Sequence, residues 1–129
     1  MEREIETLHP GAKRTGGRSA VPLFDEDAQD ELIDTIGNDA FFSLLTVIPE
    51  EAERHLKEIE EAVRCEDLQR ARVAAHTLKG MAASCTAIRI AAAARMIEDQ
   101  ADTNDLAAAS VRSLADAIEE TKDWLRQSA

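Results

Sequence analysis

The 129 residues read as an all-α domain, an antiparallel up-and-down bundle of helices, and three observations lead there. Four of the five glycines (Gly11, Gly16, Gly17 and Gly37) precede residue 40, and only three prolines occur, so most of the chain is free of helix breakers. Hydrophobic residues make up 44% but aromatics only 3%, with no Tyr, which leaves Ala, Leu, Ile and Val to build the core. Small aliphatic side chains suit closely approaching helices. Apolar residues also recur at mixed spacings of three and four in segments separated by short polar turns, the pattern of helices joined up and down. The length suffices for one domain with a real core and not for two.

The elements follow in order. Residues 1–22 hold Pro10, Gly16-Gly17 and Pro22, and four basic against three acidic residues, whereas 23–129 hold eleven basic and twenty-three acidic. The first segment reads as a flexible N-terminal arm and the second as the helical domain. Asp25-Glu26-Asp27 supply an N-cap and first-turn acids for a short helix with Ala28, Leu32, Ile33 and Ile36, ended by Gly37. Asn38 or Asp39 is expected to cap a long second helix with Phe41, Leu44, Leu45, Ile48, Ala52, Leu56, Ile59 and Val63 on one stripe. Pro49 within it predicts a kink or a division in two. Cys65-Glu66-Asp67 make a turn into a third helix from about Leu68 to Ser84. Thr86 is the expected cap of a fourth helix, carrying Ile88, Ala91, Ala92, Arg95, Met96 and Ala101. Thr103-Asn104-Asp105 cap a fifth, with Leu106, Val111, Leu114, Ala115, Ile118, Thr121 and Leu125, and Trp124 closing the end of the bundle.

Several function classes are disfavoured by bulk properties. A net charge of −11 offers no basic footprint for nucleic acid. No run approaches the ~18 apolar residues of a membrane-spanning helix. The start, MEREIETLHPGAKRTGG, has no apolar core of a secretory signal, so a cytoplasmic protein is expected. Cys65 and Cys85 bracket the third helix about 30 Å apart at its rise per residue, which predicts free thiols. A di-metal bundle would repeat Glu-x-x-His on two helices. Only Glu6-x-x-His9 fits, in the arm, so no metal is expected. His55, among Glu50, Glu51 and Glu53, is expected to be a solvated surface residue.

The stretch AAHTLKGMAAS, residues 74–84, is the most informative. At about 100° per residue, Ala71, Ala75, Leu78, Ala82 and Cys85 share a buried stripe with Leu68, and His76 lies roughly 120° from its centre, at the surface. Arg72, Lys79, Gly80 and Ala83 fall on the side of His76. Two cations beside an imidazole favour its neutral, nucleophilic form and would stabilise a phosphoryl group attached to it. Gly80 costs about 1 kcal/mol relative to Ala within a helix. Together with Ala83 it would leave room for a partner's active site. On spacing alone, an ordinary surface histidine is an equally good reading.

The string His76-Thr77-Leu78-Lys79-Gly80, with Ala82 and Ala83 after it, resembles the His-x-Leu-Lys-Gly signature of histidine phosphotransfer (HPt) domains. The short first helix, the long Phe- and Leu-bearing second helix and the acidic turn before the motif resemble that family too, over roughly residues 23–127. The resemblance implies a four-helix bundle with an additional short N-terminal helix. It implies that His76 accepts a phosphoryl group from a receiver-domain phospho-aspartate and passes it to an aspartate of another receiver. Nε2 would attack, Lys79 would offset charge, Arg72 would assist and Gly80 would give access. It further implies a monomeric phosphocarrier with no catalytic machinery or cofactor of its own, the partner receiver supplying Mg. Its partners would be response-regulator receiver domains and a hybrid sensor histidine kinase.

Phe42, with Leu45 or Ile48, is the candidate apolar collar for receiver docking near His76. Met81 stands where the family commonly has Ser or Ala, and is expected to turn away from His76. Thr86 stands near a common family glycine and adds a side chain at the turn after the motif helix. A kinase dimerisation domain is disfavoured because Thr77, not an acid, follows the histidine and no glycine-rich ATP-binding segment occurs. The alternative from a different class is a helical adaptor that binds a receiver or kinase without being phosphorylated.

Overall fold

A computed structural model describes residues 21–128. Residues 1–20 of the expected arm 1–22, with Glu6 and His9, lie outside the described residues. Among the described residues the elements are α1 (Glu26–Ile36), α2 (Asn38–Arg64), α3 (Leu68–Ser84), α4 (Ile88–Gln100) and α5 (Asn104–Ser128). Each of α2 to α5 packs against the next, and α5 closes the ring on α2, while α1 lies on α2 outside the ring. This is the antiparallel four-helix bundle with an additional short helix.

The core is aliphatic. Leu45, Ile59, Leu78, Ile90, Ile97, Leu114 and Ile118 are essentially inaccessible, and alanines 71, 74, 75, 82, 87, 91, 93 and 94 are buried on α3, α4 and the turn between them. The stripe expected on α3 is the buried one. Phe24 tilts against Trp124 with ring centroids 4.7 Å apart, closing one end. Met81 is half-buried against the core.

Caps explain most boundaries. Asp25 accepts from the Ala28 N–H (3.2 Å), Asp67 from Arg70 N–H (3.1 Å), and Thr103 Oγ1 from Leu106 N–H (3.1 Å). One expectation fails: α2 starts after Gly37 with no side-chain cap, rather than on Asn38 or Asp39. Of the kink or division expected at Pro49, the division does not occur, and the helix is continuous through the buried proline. The proline removes one backbone donor. Packing of the buried α2 stripe against its neighbours keeps the helix going on both sides.

Thr86 is not the cap of α4 either; Ala87 occupies that position with no side-chain bond. Thr86 instead ends α3. Its N–H donates to the Ala83 carbonyl (3.1 Å) and Ala87 N–H to the Ala82 carbonyl (2.9 Å), the paired bonds of a Schellman turn. Thr86 takes the left-handed conformation there, φ +65°, as Glu66 does (φ +60°) at the equivalent end of α2. Residues 21–25 lie against this turn. Asp25 N–H donates to the Thr86 carbonyl (3.0 Å), and the buried Arg89 donates from Nε to the Val21 carbonyl (2.7 Å) and from a terminal nitrogen to Glu120 (2.6 Å). The Arg89 charge is thus both paired and hydrogen-bonded, as burial requires.

Candidate phosphoacceptor site on α3

His76 projects from the middle of α3, and its side chain is 66% exposed. The helix presents it because the alanine stripe takes the opposite face into the core. Thr77, Gly80 and Ala83 are exposed on the same side, so the surface around the imidazole is low. A methyl group added at Gly80 would meet nothing within 4 Å. Packing among the described residues therefore does not require glycine at this position.

The nearest polar partner of the imidazole lies on α4. Nδ1 of His76 is 2.5 Å from one carboxylate oxygen of Glu98, and Lys79 Nζ is 2.6 Å from the other. Hydrogen bonds from Lys79 and then His76 hold the Glu98 carboxyl below the ordinary carboxylate range, so it is ionised near neutrality. An ionised carboxylate only accepts, so Nδ1 carries the hydrogen. In the neutral imidazole the lone pair is then on Nε2, the atom away from Glu98. One carboxylate thus fixes ring orientation, tautomer and the position of Lys79.

This arrangement corrects the expected imidazole between two cations. Arg72 turns to the end of α4, donating to the Ala101 carbonyl (2.9 Å) and Asp102 (3.3 Å). Its partner is a main-chain carbonyl at the α4 terminus, which a helical wheel of α3 cannot show. Glu98 was missed for a similar reason, since it is 22 residues away. A signal existed: in an antiparallel pair hinged at residues 85–87, positions similarly far from the hinge are level. Glu98 is the α4 acid closest to the level of His76.

The apolar collar is corrected as well. Leu45 is fully buried and Ile48 nearly so, and neither can touch a partner. Phe42 is exposed, but it lies thirteen residues before His55, which shares a groove with Val73, Ala74 and Thr77. At about 1.5 Å per residue, Phe42 is roughly 20 Å along α2 from the level of His76. The apolar side chain beside the histidine is Val73, 57% exposed and one turn before it. The groove, about 530 Å³, is also lined by Arg54, Glu58 and Arg70. His55 in its wall is half-buried rather than fully solvated, with Nδ1 2.8 Å from the Glu51 carbonyl.

The family model of the Hpt domain matches residues 43–124. The chain belongs to the Hpt domain family. The matched span of this Hpt domain runs from α2 to the last turns of α5 and includes both His76 and Glu98. Its fold is similar to the crystal structure of histidine-containing phosphotransfer protein B from Pseudomonas aeruginosa PAO1, with a TM-score of 0.74 at 22% identity. The match covers 84% of this chain and 95% of that one. The search of curated proteins gave no match. Among the described residues of this Hpt domain, no helix is long and apolar enough to cross a membrane. No group of three or more His, Cys, Asp or Glu among them is placed to hold a metal ion.

Proposed function

We propose that His76 is the phosphoacceptor of this histidine phosphotransfer domain, taking the group from a phospho-aspartate of one receiver and giving it to an aspartate of another. The observation that carries this reading is the geometry of His76, exposed on a low helix face with Nδ1 on Glu98 and the Nε2 lone pair turned outward. Nε2 attacks phosphorus while the acyl phosphate P–O bond breaks and its electron pair leaves on the aspartate carboxylate. Lys79 stands one turn along α3 to offset phosphoryl charge. The receiver brings its aspartate and Mg, so this chain serves as carrier. The docking face is the exposed α3 strip of Val73, Thr77, Gly80 and Ala83, in place of Phe42 and Leu45. Incubation with a phosphorylated receiver is expected to label the wild type with acid-labile, base-stable phosphate and to leave His76→Gln unlabelled. Equal labelling of the two proteins sinks the proposal.

A further inference from the structure

We infer that Glu98 is the counter-ion of the phosphorylated ring, and that its charge, beyond its hydrogen bond, sets how readily the phosphoryl group leaves His76. The inference rests on His76 being the phosphoacceptor, and it concerns a different atom from the one that is attacked.

It follows from proton and electron balance. The nucleophilic form of the ring is the neutral one, with its hydrogen on Nδ1, held by Glu98 at 2.5 Å. When the Nε2 lone pair forms the N–P bond, no proton has to move, and the ring becomes cationic with Nδ1–H still in place. In the reverse step the N–P electron pair returns to Nε2 and the ring departs as neutral imidazole, a far better leaving group than imidazolate. Loss of the Nδ1 proton would make the phosphorylated ring neutral and the N–P bond more persistent. A carboxylate on Nδ1 opposes that loss, since an opposite charge within hydrogen-bonding reach favours the charged form.

The surroundings leave this task to Glu98. On α3, Lys79 is held by the same carboxylate, and Arg72 is engaged with Ala101 and Asp102 at the end of α4. On α4, Arg95 pairs with Asp99 along its own helix (3.1 Å). On the α2 side of α3, Arg70 is paired with Glu58 (2.6 Å) and Glu61 (3.5 Å), Arg54 with Glu51, and His55 is bonded to the Glu51 carbonyl. Glu98 is the acid bonded to the imidazole, and its side chain is only 22% exposed, so the pair is partly shielded from solvent.

Glu98→Gln separates charge from hydrogen bonding, because the amide oxygen still accepts from Nδ1 while the negative charge is gone. The full chain is phosphorylated with phosphoramidate, which needs no partner protein, and the phosphohistidine ³¹P resonance is followed against pH. In Glu98→Gln the midpoint of the Nδ1 titration is expected to fall by about one pH unit or more. At pH values above the wild-type midpoint, loss of the phosphoryl group is expected to slow by up to about tenfold, the corresponding fall in protonated ring. Lys79→Met, which leaves the carboxylate to His76 alone, is expected to move the midpoint upward. Phosphohistidine with the same midpoint in wild type and Glu98→Gln overturns this inference and leaves the phosphoacceptor reading standing. Absence of phosphohistidine from the wild type overturns both.

Discussion

Gly80 lies in the middle of α3, where an added methyl group meets nothing within 4 Å. Thr86 lies six residues on, in the turn to α4, in a left-handed conformation at φ +65°. A glycine thus occupies a helical position that suits alanine, and a β-branched residue occupies a turn position that suits glycine. Neither choice follows from local preference, but the two differ in what they serve. The helix interior favours alanine over glycine by about 0.5–1 kcal/mol, and no contact among the described residues repays Gly80. On the proposed function, the neighbour with a use for the space at Gly80 is a docking partner. Thr86 is 4% exposed, its strained backbone completes the end of α3, and its hydroxyl has no hydrogen-bond partner among the described residues. Its cost lies wholly inside the fold.

The largest effect that can break this comparison is at Gly80. Gly80→Leu is expected to fold, with stability in chemical denaturation unchanged or raised by up to about 1 kcal/mol. A side chain filling the approach to His76 should cost docking about 1–3 kcal/mol, the scale of overpacking. Phosphotransfer from a receiver should then slow by roughly ten- to a hundredfold, at about 1.4 kcal/mol per decade. Labelling by phosphoramidate, a small donor, should change far less. Full transfer rates in this variant would mean that the clearance has no use and that Gly80 is only a poor helix residue.

At Thr86 the expectation is inverted. Thr86→Gly removes a left-handed non-glycine backbone, worth about 1–3 kcal/mol, and a buried unpartnered hydroxyl, against an entropic cost of about 0.5–1 kcal/mol for glycine. A net gain of about 1–2 kcal/mol in unfolding free energy is expected, with receiver transfer unchanged. A slower transfer would show that the turn belongs to the docking surface, and the two positions would then no longer be separable into partner and fold.

The contrast also explains what could be read from the residues. Helix identities follow from apolar spacing, which is set by the neighbours three and four residues away. The burial of Ala71, Ala75, Leu78 and Ala82, and the exposure of His76, come from that same short-range periodicity. What escaped it depends on how helices align along their axes. The wheel puts Leu45 in an apolar stripe but does not say that Phe42 lies about 20 Å from the level of His76. It puts Arg72 beside His76 but cannot show the α4 carbonyl that claims it. Glu98 becomes a neighbour only once α3 and α4 are folded about Thr86. Pro49 predicts a kink or a division, and the division is absent because propensity ignores the neighbours that hold α2 together.

The smallest effect compares the two edges of α3. Arg70 hydrogen-bonds Glu58 toward α2, and Lys79 and His76 hydrogen-bond Glu98 toward α4; both carboxyls are held below their ordinary value of 4.5. In the unfolded chain both return to that value, so the native state binds fewer protons as the solution is acidified. Their contribution to stability is therefore fully present above about pH 4.5 and is lost as pH falls through the lower folded values. Glu58→Gln and Glu98→Gln should each flatten the fall in denaturation midpoint as pH drops below about 4.5, modestly, as solvent-screened pairs do. The edges then separate on the phosphohistidine titration. Only the Glu98 variant should move it, because Glu58 is bonded to Arg70 and not to the imidazole. A shift in the Glu58 variant would mean that the phosphorylated ring responds to the summed charge of α3's surroundings, and the special place given to Glu98 would dissolve into a general field.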